Sequence, residues 1–125
     1  MSLMYIRLEL ARSKEYPQGS SDFGYEVVAP LTADGHIDPE VWRQHRKACT
    51  VRRFWRGEED ERGHLVRTRG GHWVFHYDVE GDPDEDDTGF RFSSHAFRPG
   101  EYVSLKEADG EEHTFQVAQL RPRIY

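Results

Sequence analysis

The chain has 125 residues, of which 36% are hydrophobic, 32% charged and 13% aromatic. A chain of this length can bury one hydrophobic core without disulfides or metal ions, and disordered segments are poor in aromatic residues. The formal net charge of −6 excludes a uniformly basic protein that coats nucleic acid. We therefore expect residues 1–125 to form a single globular domain.

Cysteine content and hydrophobicity indicate the cellular compartment of the protein. The lone Cys49 excludes an internal disulfide, and no apolar run approaches the roughly 20 residues that span a bilayer. Residues 1–10 alternate polar and apolar side chains, unlike the continuous apolar stretch of a secretory signal. The sequence therefore indicates a cytoplasmic protein without a membrane partner.

The first part of the chain predicts two strands and one helix. Residues 5–10 alternate with the period of a strand, and residues 23–31 predict a second strand after a turn-rich stretch. Asp38 before Pro39 is a typical helix start, with an N-cap acceptor and a proline at the first helical position. We expect this helix to cover about residues 39–48. Its predicted buried side comprises Val41, Trp42, His45 and Cys49.

The remainder of the chain predicts short strands separated by turns. These strands are residues 50–56, 65–69, 72–79, 89–93, 101–107 and 113–120. We find neither an internal repeat nor a linker. The predicted fold class is mainly β: a single-domain antiparallel β-barrel or strongly curved sheet, of about seven or eight strands, with one short α-helix.

Turn residues also predict how the hairpins pair. A two-residue turn at Gly70 and Gly71 would place Trp73 opposite Thr68 on the core-facing side. The other, mostly cationic side would then carry Leu65, Arg67, Arg69, His72, Val74 and His76. In the final hairpin we predict a loop of odd length, because it unites the apolar residues on one face. These residues are Val103, Leu105, Phe115 and Val117.

Acidic residues are concentrated in two segments. Residues 78–87 contain seven acids and no base, and residues 58–61 contain four acids and no base. Without these 11 acids, the chain keeps 17 basic and 12 acidic residues, so its body is cationic. Such a field affects partner choice and encounter rate rather than the fold.

Basic residues form the candidate binding site. For an anionic ligand or an acidic protein partner we predict Arg52, Arg56, Arg67, Arg69, His72 and His76. Single-stranded nucleic acid or a nucleotide is a further candidate, because arginines contact phosphates and bases stack on aromatic side chains. It is not favoured, since Phe54 is the one aromatic residue clearly available for stacking. The arginines are instead expected to pair with the protein's own acidic loops.

The spacing of the histidines gives little indication of a metal site. His72 and His76 would lie about 13 Å apart along one strand, too far for one ion. The spacing of His64, His95 and His113 matches no zinc signature, although a fold could bring them together.

Two further patterns have simpler interpretations. Residues 82–87 resemble the start of an EF-hand loop, but Asp87 occupies the position that needs glycine, so we expect a solvated loop. Cys49 follows His45 by four residues, and a buried core cysteine is favoured over a nucleophile.

Three segments resemble a family of short uncharacterised bacterial proteins. They are FGYEVVAPL at residues 23–31, GGHWVFHYD at residues 70–78 and HAFRPGEYV at residues 95–103. The similarity would cover most of the chain. It implies a bacterial origin and brings no activity, cofactor or catalytic residue.

The sequence offers no convincing set of acid, base and nucleophile. We therefore interpret the protein as a small non-enzymatic binding or interaction module with a cationic face and no cofactor. The alternative hypothesis is a small metal-dependent or histidine-based enzyme whose site is assembled from dispersed histidines. Self-association, with acidic loops docked on the cationic face of a second copy, is a third hypothesis.

Overall fold

A computed structural model describes residues 3–77, 96–106 and 111–123, and the backbone of residues 87–89. In these residues eight antiparallel strands follow one another around a closed barrel, and the last strand pairs with the first. The strands are β1 (Leu3–Leu10), β2 (Ser20–Pro30), β3 (Thr50–Trp55), β4 (Glu61–Arg67), β5 (Trp73–Tyr77), β6 (Asp87–Gly89), β7 (Tyr102–Lys106) and β8 (Glu112–Pro122). The predicted mainly β fold with one short helix is confirmed.

Among the described residues, the strand pairing around the barrel is shortest at β6. This three-residue strand pairs with β7 through Thr88 and Lys106. The predicted weak strand at 89–93 lies largely outside the described residues, which resume at residue 96. No helix in the described part of the chain is long and apolar enough to cross a membrane.

Aromatic side chains fill the barrel interior. Tyr25 packs against Phe75 and Phe115, with ring centroids 5.2 and 5.1 Å apart, respectively. All three rings are fully buried. A barrel of about eight strands is narrow enough for inward side chains to fill it, so the interior here is a packed core.

One helix, α1 (Pro39–Gln44), joins β2 to β3. The Asp38 carboxylate accepts hydrogen bonds from the amides of Glu40 and Val41, so the predicted cap is confirmed. The helix ends before residue 48, and a 3-10 turn (Arg46–Ala48) follows it.

Between these two elements His45 leaves the helical conformation. Its φ is −130° and its ψ is 31°, and the residue is exposed. The prediction that His45 is buried is therefore wrong, whereas Trp42 and Cys49 are buried as expected.

The hairpin of β4 and β5 has a different register from the predicted one. Arg67, and not Thr68, pairs with Trp73. The Thr68 amide donates to the His72 carbonyl, so the loop between them contains three residues instead of two. Of the two loop glycines, Gly71 has a left-handed φ of 80° and Gly70 does not. This pattern is that of a type I turn followed by a bulge.

This one-residue shift reverses which side chains of β4 face the barrel interior and which face outward. Leu65 and Arg67 share the inward side with the core residue Trp73, whereas His64 lies opposite His76 on the outer side. The predicted grouping of Arg67 with His76 on one cationic side is therefore wrong.

The hairpin of β7 and β8 has the predicted arrangement. Val103 lies opposite Phe115, and both are buried together with Leu105 and Val117. The tip of this hairpin, at residues 107–110, lies outside the described residues.

A candidate anion-binding groove

A groove begins where β4 extends beyond β3. The first residue of β3, Thr50, pairs with His64, so the end of β4 has no strand beside it on that side. The Leu65 amide donates to the Cys49 carbonyl at 2.9 Å, and its carbonyl accepts from Trp42 Nε1 at 2.9 Å. These two bonds hold α1 and the 3-10 turn beside the open edge of β4.

The groove between α1 and β4 has a volume of about 860 Å³. Sites for small molecules usually have volumes of roughly 300–1,000 Å³. Five cationic side chains line it: Arg43, Arg46, Lys47, Arg67 and Arg69. Glu40 is the carboxylate in its lining, and it pairs with Arg43 at 2.9 Å. The groove therefore carries a strong excess of positive charge.

Four of these cations have no acidic partner in the described part of the chain. Among the described residues, no carboxylate lies within ion-pair distance of Arg46, Lys47, Arg67 or Arg69. Clustered like charges raise the local potential and attract counter-ions. This side of the barrel is therefore suited to an anion.

Two of the guanidinium groups lie on indole rings. The Cζ atom of Arg46 is 4.8 Å from the ring centroid of Trp42, and that of Arg67 is 5.3 Å from the centroid of Trp73. The two indoles meet edge to face with centroids 5.2 Å apart. Both are buried, with 5% and 1% of their surface exposed. A guanidinium on an aromatic face still has its in-plane N–H donors free for an anion.

The backbone of Arg67 also faces the groove. Ladder hydrogen bonds alternate in direction along an antiparallel strand, so Arg67 directs its amide to the same side as Leu65, away from β5. On that side the Leu65 amide donates to the Cys49 carbonyl, and Arg67, two residues further along β4, lines the groove. An amide donor thus accompanies the cationic side chains.

Arg52 and Arg56, both predicted to bind an anion, lie on a different surface. Arg52 pairs with Glu26 and, at 2.6 Å, with Asp60. Arg56 pairs with Asp22, and this hydrogen bond raises the pKa of the guanidinium above its ordinary value. Arg52 thus pairs with one of the acidic loops, as expected, through Asp60, whereas the partner of Arg56, Asp22, lies outside both acidic segments.

The ring of Phe54 is covered by neighbouring side chains. The Cζ atoms of Arg7 and Arg52 lie 4.3 and 5.2 Å from its ring centroid, and 8% of the residue is exposed. Its ring lies over Gly24, where a Cβ would be 2.9 Å from the Phe54 Cζ atom. The prediction that Phe54 is available for stacking is therefore wrong.

The predicted site is thus divided by the fold. Arg67 and Arg69 line the groove, whereas the exposed His72 and His76 are outside its lining. Arg43, Arg46 and Lys47 were not among the predicted binding residues. The helix start at Asp38 predicts the helix that carries Arg43 but not where that helix packs.

Metal-site hypotheses find no geometric support among the described residues, where no three His, Cys, Asp or Glu side chains could hold an ion. His64 lies on the outer side of β4, whereas His113 packs against Trp55 with ring centroids 5.6 Å apart. His95 and residues 78–86 lie outside the described residues, so the predictions for them stay predictions.

Cys49 belongs to the core, as predicted. Its burial raises the pKa of the thiol to about 11. At neutral pH the thiol therefore stays protonated and provides no thiolate nucleophile.

Comparisons of this chain with protein-family models, with curated proteins and with solved structures found no match. The resemblance to short bacterial proteins stays a prediction. The groove is therefore the feature of the molecule that points to a function.

Proposed function

We propose that this protein is a non-enzymatic binding module that takes an anionic ligand, or the acidic surface of a partner, in the groove between α1 and β4. The observation that carries the proposal is a set of four cations for which the described residues provide no ion-pair partner: Arg46, Lys47, Arg67 and Arg69. A hydrogen bond to a charged group contributes about 1.5–3 kcal/mol. Several such bonds together would give useful affinity.

The proposed setting is the bacterial cytoplasm. The resemblance to short bacterial proteins supports the origin, and the lone, buried Cys49 suits a reducing compartment.

The proposal can be tested with Arg67→Glu combined with Arg69→Glu. The probe is tripolyphosphate, titrated calorimetrically at low and at physiological ionic strength. We expect wild-type affinity to fall as salt rises, because charge attraction is screened. The double variant should lose about 100-fold or more, since it replaces two favourable charges with two repulsive ones.

The matched control is Arg12→Glu combined with Lys14→Glu. It changes net charge equally, and both residues are exposed in the connection between β1 and β2, at the opposite end of the barrel from α1. Circular dichroism verifies that both variants are folded. Unchanged affinity in the groove variant, or an equal loss in the control, would overturn the proposal.

A further inference from the structure

We propose that the groove recognises phosphoryl groups through Arg46 and Arg67, and that its ligand is a small molecule carrying more than one of them. This inference rests on the proposed function. The observation behind it is a continuous row of ring contacts in which Arg46, Trp42, Trp73 and Arg67 follow one another at 4.8, 5.2 and 5.3 Å, with the two indoles edge to face.

This row of contacts orients the two guanidinium groups before a ligand arrives. A free arginine side chain has about 2 kcal/mol of rotamer entropy, much of which is lost when it is held by an anion. Trp42 and Trp73 restrict Arg46 and Arg67 in advance, so less entropy remains to be lost on binding. The planar fork of each guanidinium can then donate two parallel hydrogen bonds to one oxyanion.

The charge balance favours phosphoryl groups over carboxylates. A phosphoryl group carries up to about two negative charges and three acceptor oxygens, whereas a carboxylate carries one charge and two oxygens. Lys47 adds a point charge and the Arg67 amide adds a donor beside the two forks. The volume of about 860 Å³ leaves space for a ligand larger than one phosphate ion.

Recognition of a nucleobase has no support in the groove. The indoles of Trp42 and Trp73 are buried, and arginines lie against them. Stacking platforms for bases need an open aromatic face. We therefore expect the phosphoryl groups, and not a base, to provide the affinity.

Arginine-to-lysine changes test this inference because they keep the charge and remove the planar fork. The test variant is Arg46→Lys with Arg67→Lys. The control is Arg43→Lys with Arg69→Lys, which changes two arginines of the same groove for which no indole contact is seen in the described residues. Calorimetry with pyrophosphate should show a loss of about tenfold or more in the test variant and less than about threefold in the control.

Two further probes complete the experiment. Citrate, a tricarboxylate, should bind wild-type protein more weakly than pyrophosphate, and adenosine diphosphate should bind no more tightly than pyrophosphate. Equal losses in the two lysine variants, equal affinity for citrate, or a clear gain from adenosine would overturn this inference.

The two proposals fail in different ways. If lysine variants bind pyrophosphate like wild type while the Arg67→Glu, Arg69→Glu variant does not, the groove is a general anion site and only the phosphoryl inference is overturned. If the glutamate variant also binds normally, both proposals are overturned. Thermal melts of all variants separate a loss of affinity from a loss of folding.

Discussion

Two surfaces of this barrel are rich in arginine and differ in how their charge is compensated. On the outer face of β1 to β3, which we call the paired face, Arg7, Arg52 and Arg56 each pair with a carboxylate. In the groove, Arg46 and Arg67 have no such partner among the described residues. Arginine content alone therefore does not identify a binding surface.

Strand register explains the paired face. Glu26 lies opposite Arg7 on β1 and opposite Arg52 on β3, so one carboxylate is shared by two guanidinium groups. Phe54 and Gly24 pack beneath them. In the described part of the groove lining, the one carboxylate is Glu40, which is on α1 and pairs with Arg43. The difference supports the proposal that an anion binds in the groove and not on the paired face.

The largest expected effect is on stability, from Gly24→Ala on the paired face. An added Cβ would lie 1.9 Å from the Leu8 carbonyl oxygen and 2.9 Å from Phe54 Cζ. Overpacking of this kind costs about 3 kcal/mol. The free energy of unfolding in urea measures it.

Gly70→Ala is the matched control, since the nearest atom to its Cβ would be in the His72 side chain, at 3.3 Å. This control should change stability by less than about 1 kcal/mol. If both substitutions have equally small effects, the paired face is not the tightly packed surface described here.

Smaller effects are expected from removing one carboxylate on each surface. The change on the paired face should lower stability, and the change in the groove should raise affinity. Glu26→Gln should cost about 1–2 kcal/mol of stability, because Arg7 and Arg52 both lose a charged acceptor. It should leave pyrophosphate affinity unchanged.

Glu40→Gln should change stability by less than about 0.5 kcal/mol, since its ion pair with Arg43 is exposed. It should increase pyrophosphate affinity about two- to fivefold by removing the acid from the groove. Urea unfolding and calorimetry on the same samples measure both quantities. Weaker pyrophosphate binding by Glu40→Gln would contradict the assignment of the groove.

Local patterns in the sequence were sufficient for much of the fold. The Asp38-Pro39 start specifies α1 because both residues act within one turn of chain. The four apolar residues of the last hairpin determine its register, because only one parity buries them together. Each feature depends on residues close to one another along the chain.

The site depends on longer-range geometry. The two glycines at 70 and 71 suit either a two-residue or a three-residue loop, and this choice decides which way Arg67 faces. The contact between Arg46 and Trp42 is local, but its neighbour Trp73 comes from β5. Likewise, the register of the whole barrel is needed to predict whether an arginine pairs with a carboxylate on a neighbouring strand.

The most direct test observes both arginine-rich surfaces in one unmodified molecule. Proton–nitrogen NMR spectra of the wild-type protein, recorded during a pyrophosphate titration, follow the Nε–H signal of each arginine. We expect saturable shifts at Arg46 and Arg67 and at the Arg67 amide, with Arg52 and Arg56 unmoved. Shifts at Arg52 and Arg56 with an unchanged groove would overturn the assignment of the groove as the anion site.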